Sequence, residues 1–173
     1  MVRDIVIYPD KRLKQISKEV VVFDEKLHSL LDDMYETMIA KNGVGLASIQ
    51  IGVALRVFII NVPVDDEFSD RTVQPKENTL EFINPIFIEK NGLTKFQEGC
   101  LSVPSVYEDV DRFEYVKVSY QDRFGVKHII EDDEFLSIAM QHENDHLDGK
   151  LFIEKLSFMK RKKFEKEWKK RNL

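Results

Sequence analysis

Gln141-His142-Glu143-Asn144-Asp145-His146 is an HExxH stretch close to the C-terminal end of a 173-residue chain. On an α-helix, residues four apart stand one turn above each other on the same face. His142 and His146 then present two imidazoles to one metal ion. Glu143 sits beside the first of them, with its carboxylate in reach of a water at that ion. A plain amphipathic helix with two ordinary histidines is the competing reading, and the flanking pattern argues against it. Phe135, Leu136, Ala139, Met140 and Leu147 give a buried helical face. Asp132 or Asp133 suits the N-terminal cap, and Gly149 ends the run. The motif therefore lies on a helix that enters the core.

Two histidines do not complete a site, and three sources of a third ligand compete. In the metzincin pattern, a glycine after the second histidine precedes a third histidine. Gly149 is in place, but the histidine position holds Phe152, which cannot bind a metal. In thermolysin-like peptidases the third ligand is a glutamate about twenty residues downstream. Glu165 and Glu167 lie near that distance, in a strongly basic segment whose lysines compete for them. The third source is upstream. Cys100, the only cysteine, lies in Glu98-Gly99-Cys100-Leu101-Ser102, expected as a loop after a strand at 93–97 and before Pro104. Two imidazoles and a thiolate leave one position open for water, the arrangement of a catalytic metal, whereas a closed structural site wants a fourth protein ligand. His28 and His128 read as ordinary surface or core histidines.

Strands precede this helix. Leu55–Val62 is apolar and β-branched, a well-buried strand ended by Pro63. Strands follow near 79–89 and 93–97, with Asn91-Gly92 as a hairpin turn. Alternation over 113–120 and a partner at 126–131 complete the set, and the polar stretch 64–77 reads as a surface loop. Upstream, Asp24 caps a helix over 25–41, with Leu27, Leu30, Leu31, Met34 and Met38 at helical spacing and Lys41-Asn42-Gly43 as its stop. Residues 1–23 read as coil and short extended pieces packed on the body. Runs of strands followed by helices give an α+β fold, with antiparallel sheets around the HExxH helix, a helix in the N-terminal half and a C-terminal helix.

The hydrophobic content of 43% with 33% charged residues is that of a folded domain rather than a disordered chain. No apolar run approaches the roughly 20 residues of a membrane span, and the first residues lack the pattern of a signal peptide, so the cytoplasm is the expected compartment. The net charge of −5 conceals a basic tail. Residues 157–173 carry eight Lys/Arg and two Glu, +6, against −11 for the preceding part. Met159, Phe164 and Trp168 form an apolar stripe along that tail. It reads as a solvated helix or as a docking element for an acidic or nucleic-acid-rich partner.

One stretch stays unexplained by packing. Gly43-Val44-Gly45-Leu46-Ala47-Ser48-Ile49-Gln50 superficially suggests a phosphate loop, but it follows a helix, and Ser48 stands where GxGxxG needs its third glycine. No nucleotide is expected. The glycines let backbone approach a ligand closely and offer main-chain hydrogen bonds.

GVGLASIQ (43–50), EGCLS (98–102) and QHENDH (141–146), in this order, resemble the three motifs of the peptide deformylase family: G-x-G-x-A-A-x-Q, E-G-C-L-S and Q-H-E-x-D-H. The likeness extends to the helix before Gly43, to Ile83-Asn84-Pro85 and to Asp148–Phe152, so it covers about 2–156. Ser48 stands where the family usually has a second alanine; a small residue is kept, and a local polarity change without loss of function is expected. Ser105-Val106-Tyr107 differs from the arginine-containing version of some members, which bears on the outer substrate contacts.

The resemblance implies a hydrolase that removes the formyl group from the N-terminal formyl-methionine of nascent polypeptides and releases formate. It implies a catalytic domain over 1–156, with 157–173 as a basic C-terminal helix of the same domain. Cys100, His142 and His146 would hold one divalent ion, Fe²⁺ in the cell, replaceable by Ni²⁺, Co²⁺ or Zn²⁺. Glu143 would carry the proton. The Gln50 amide and the Leu101 backbone N–H would stabilise charge on the formyl oxygen. Val44, Gly45 and Gly99 would bind the peptide main chain, and Phe135, Ile138 and Ala139 would line the methionine pocket. Arg112 and Asp145 match positions that pair behind the ligands. The basic tail fits a ribosome-docking role. A metallopeptidase cutting internal bonds and a non-enzymatic metal-stabilised binding domain use the same helix and remain as alternatives.

Overall fold

In a computed structural model, which describes residues 1–172, the Asp24 carboxylate accepts hydrogen bonds from the N–H groups of Lys26 and Leu27 and opens helix α1, Glu25–Ala40. Asn42, at φ 56°, ends it. Then come β1 (Gly45–Ala47), β2 (Val57–Ile60), the short β3 (Val64–Asp65) and β4 (Thr72–Val73), and the long β5 (Leu80–Asn91). They are followed by β6 (Thr94–Cys100), β7 (Val103–Arg112), β8 (Tyr115–Gln121), β9 (Lys127–Asp132), α2 (Phe135–Leu147) and α3 (Phe158–Arg171). Leu173, at the end of the basic segment, lies outside the described residues.

The main sheet has the order β1-β2-β5-β8-β9 and is antiparallel throughout. Its centre shows why 55–62 is an unbroken apolar run. Val57 and Ile59 face α1, where Leu27, Leu31, Met34 and Met38 cover them. Phe58 and Ile60 point the other way, onto Met140 and Leu147 of α2. A strand buried on both faces loses the usual alternation of polar and apolar residues. Phe58 stacks on Phe82 at 4.7 Å between ring centroids. The metal-motif helix is thus held against a closed apolar wall, and its other face is free for chemistry.

A second, two-stranded sheet of β6 and β7 approaches that free face. A third core cluster fixes it, joining Val103 and Val110 to Val6, Leu13, Phe152, Phe164 and Trp168. Phe164 and Trp168 of α3 therefore pack inward, as the tail's stripe suggests. Met159 does not; it is 76% exposed.

Three boundaries differ from the sequence reading. The strand expected at 93–97 runs on to Cys100, which pairs with Val103 instead of lying in a loop, and β7 was not foreseen. Gly99 and Pro104 look like strand breakers. In a two-stranded sheet every strand is an edge, where proline is tolerated. Gly99 is required there because a Cβ would stand 2.6 Å from the Tyr107 ring on the partner strand. The polar stretch 64–77 contains the small β3–β4 pair. The α2 helix starts at Phe135 after Glu134, and the Asp132 carboxylate accepts from the N–H groups of Glu134 and Ser137.

Candidate metal centre and active site

Helix α2 and the β6–β7 hairpin supply the donors. His142 and His146 lie on successive turns with ring centroids 5.1 Å apart. The end of β6 brings Cys100 Sγ to 3.5 Å from His146 Nε2. One donor atom from each of Cys100, His142 and His146 falls within 4.8 Å of the others, the one such group found among the described residues. His28 and His128 are engaged elsewhere, with the Arg123 carbonyl at 2.9 Å and Asp122 at 2.7 Å. Glu165 is bound to Lys162 and Arg161 on α3.

A second layer holds these donors. His142 Nδ1 lies 2.7 Å from Glu98 Oε1. A carboxylate there keeps the proton on Nδ1 and leaves Nε2 with a free lone pair. Arg112, 4% exposed, forks onto Glu98 with two bonds of 2.7 Å and reaches Asp145 at 2.6 Å. Burial opposes ionisation of Glu98, but the Arg112 guanidinium and His142 outweigh it and hold the carboxyl at about 2. Arg112 and Asp145 were legible by resemblance, while the role of Glu98 was not drawn. The only local signal is that Glu98 stands two residues before Cys100, and the register of β6 and β7 shifts between the two. Lysine at position 112 keeps the charge but loses the fork. Arg112→Lys is expected to cost about 2 kcal/mol, a melting temperature lower by about 4–8 °C in calorimetry.

Glu143 occupies a cradle cut for it. A Cβ on Gly45 would overlap its Oε1 and stand 2.9 Å from its Cδ. Its Oε2 is buried and has no hydrogen-bond partner among the described residues. Burial pushes the carboxyl up to about 7. The glycine of β1 is therefore explained by the glutamate of α2, across the sheet. Gly45→Ala is expected to displace the carboxylate and lower kcat/KM by about 100-fold with stability changed by no more than about 1 kcal/mol. Steady-state assays beside a denaturant titration check both.

Gln50 is oriented as a donor. Its Oε1 accepts from the Ala47 N–H at 2.9 Å, so Nε2 points to Ser102 Oγ at 3.1 Å and toward Cys100 Sγ at 3.5 Å. Ser48 is fully buried, and its hydroxyl donates to the Leu55 carbonyl at 2.7 Å, away from the site.

A cavity of about 470 Å³ opens onto these groups. Val44, Gly45, Gln50, Gly99, Cys100, Leu101, Phe135, Ile138, Ala139, His142 and Glu143 all line it, with Tyr107 of the 105–107 stretch and with Phe96, which the sequence does not single out. Phe96 packs against Phe135 at 5.6 Å. That volume is in the range of small-ligand sites.

The donor set suits a divalent metal. One thiolate and two imidazoles converge, one imidazole is fixed by a carboxylate, and the cavity leaves a side open. An unpartnered buried carboxylate oxygen adjoins them.

Comparison with known proteins gives the family and the fold. The family model described as polypeptide deformylase matches residues 2–162. The chain is 58% identical over 166 residues to the peptide deformylase of Helicobacter pylori strain G27, covering 96% of this chain and 92% of that protein. It superposes on the crystal structure of a peptide deformylase from Legionella pneumophila with a TM-score of 0.87 at 41% identity, over 99% of this chain and 96% of that one. The Ehrlichia chaffeensis peptide deformylase in complex with actinonin gives 0.86 at 38% identity, over 98% and 97%.

Proposed function

The chain belongs to the peptide deformylase family and is a hydrolase that removes the formyl group from nascent polypeptides; from that premise we propose which of its residues do the work. Cys100, His142 and His146 hold one divalent ion, Fe²⁺ in the cell, with Ni²⁺, Co²⁺ or Zn²⁺ able to replace it. When bound, the ion supplies Lewis acidity to the formyl oxygen and to the attacking water. The single observation that carries this reading is the convergence of those three donor atoms within 4.8 Å.

Glu143 takes the proton of the attacking water on its free Oε2 and delivers it to the methionine nitrogen as the C–N bond breaks. Formate and a free α-amine leave. Gln50 Nε2 and the Leu101 N–H stabilise the charge that develops on the formyl oxygen. Val44, Gly45 and Gly99 bind the peptide main chain in a strand-like pose. Phe135, Ile138 and Ala139 receive the methionine side chain on the face of α2 that leads up to His142. A formyl group carries only hydrogen on its carbonyl carbon, so a narrow mouth admits it and excludes larger acyl groups.

Formyl-Met-Ala-Ser tests the reading against internal peptide-bond cleavage. One formate per new methionyl amine, with no new internal termini, is the expected result; internal cleavage would overturn it. Metal content of protein purified without oxygen identifies the ion.

Residues 1–156 form the catalytic domain and 157–173 its basic C-terminal segment, helical over Phe158–Arg171. On α3, Lys162, Lys163, Lys166, Lys169 and Lys170 are exposed while Phe164 and Trp168 are buried. An outward cationic face supports docking to the ribosome, where the substrate emerges. Co-sedimentation with ribosomes that weakens steeply with salt is expected, and salt-independent or absent binding would remove this role. Among the described residues no helix is long and apolar enough to cross a membrane.

A further inference from the structure

Strand β9 is the last strand of the main sheet, bonded to β8 on one side and unpaired on the other among the described residues. An unpaired edge offers a row of backbone N–H and C=O groups to a further strand. The register places Ile86, Ser119 and Ile129 in one row across β5, β8 and β9. This row lies opposite the face covered by α2, because Val118 and Ile130, next along each strand, pack with Met140. Ile86 is 66% exposed and Ile129 63% exposed.

We propose that β9 pairs antiparallel with β9 of a second copy, about a two-fold axis perpendicular to the sheet at Ile129. Such an axis keeps the two faces of the sheet continuous, so only residues of like orientation come opposite each other. Centred on Ile129, the register sets Ile129 against its own copy and Lys127 against Glu131, twice. The apolar row then runs on through both sheets. Among the described residues Lys127 has no acidic partner, and Glu131 is held at the surface, by Lys117 at 3.7 Å and Tyr115 at 3.0 Å.

The neighbouring register, centred on Ile130, is poorer. It sets Ile129 against Glu131; within β9 its ion pair is His128 with Asp132, already spoken for, and Lys127 meets Asp133 only beyond the strand's end. His128 binds Asp122, and Asp132 caps α2. A foreign strand without matching charges would leave Lys127 and Glu131 unpaired, whereas the chain's own copy supplies the complement of each.

Sedimentation equilibrium at about 0.15 M salt, where the net negative charge is screened beyond about 8 Å, tests the pairing up to protein concentrations on the order of 1 mM. A monomer–dimer equilibrium is expected, with amide exchange at 127–131 slowing as concentration rises. Lys127→Glu and Glu131→Lys each put like charges opposite twice per dimer, and each is expected to raise the dissociation constant about tenfold or more. The double reversal restores the wild-type value. Retained deformylation shows that each variant is folded, since β9 lies outside the site. A chain that stays monomeric throughout, a dimer indifferent to the single reversals, or one not restored by the double reversal overturns the proposal.

Discussion

Replacing Glu143 by Gln is expected to lower deformylation by about 10³–10⁴-fold while the protein folds normally and binds its metal as before. The substitution keeps size and shape, so the cradle above Gly45 stays filled. It removes the carboxylate that burial raises to about 7, whereas Glu98 stays ionised beside Arg112. Glu143 has a buried oxygen with no partner among the described residues. No structural bond therefore depends on that oxygen, and stability is spared. The carboxylate is not one of the three converging donors, so metal content is unchanged. Formate release and metal analysis on the same sample separate the two effects. Near-normal turnover would remove the proton-carrying role, and loss of metal would make Glu143 a structural part of the metal centre. A non-enzymatic binding domain predicts no dependence on this residue at all.

Much of this arrangement could be read from the chain before any coordinates, because its signals are local. Asp24 before an apolar repeat, Asn91-Gly92 between strands and the HExxH spacing each act within a few residues. The β2 strand was recognisable because burial on both faces leaves a run of β-branched and aromatic residues. Signals that need a partner were harder. Gly99 reads as a breaker until the Tyr107 ring is seen against it. Gly45 reads as a flexible link until the Glu143 carboxylate fills the space where a side chain would stand. Phe96 and Tyr107 reach the cavity from the hairpin whose second strand was missed. Glu98 is the instructive case. Its position two residues before Cys100 was plain, but its partners Arg112 and His142 lie 14 and 44 residues away. Only the fold turns a surface-type residue into a buried support for a metal ligand.

Replacing Cys100 by Ala is expected to lower metal occupancy and activity together, and by more than removing any supporting residue. Loss of a partner behind a ligand costs about 10–100-fold in metal affinity. That is the range expected for Glu98→Gln, which leaves all three donors in place and loosens only the His142 ring. Cys100→Ala removes a donor outright. Two imidazoles on one helix remain, without the anionic sulfur that favours a borderline-soft ion. The fold is expected to survive. Cys100 pairs with Val103 through the backbone, and the thiol is only partly buried beside the cluster around Val103 and Phe152. Gln50 loses an acceptor at 3.5 Å but keeps Ser102 at 3.1 Å. The decisive measurement is therefore metal per folded chain, with far-ultraviolet circular dichroism alongside. A wild-type ratio in Cys100→Ala would dismiss the thiolate as third ligand. A fall in metal at unchanged ellipticity, larger than that of Glu98→Gln, is what a two-imidazole, one-thiolate centre requires.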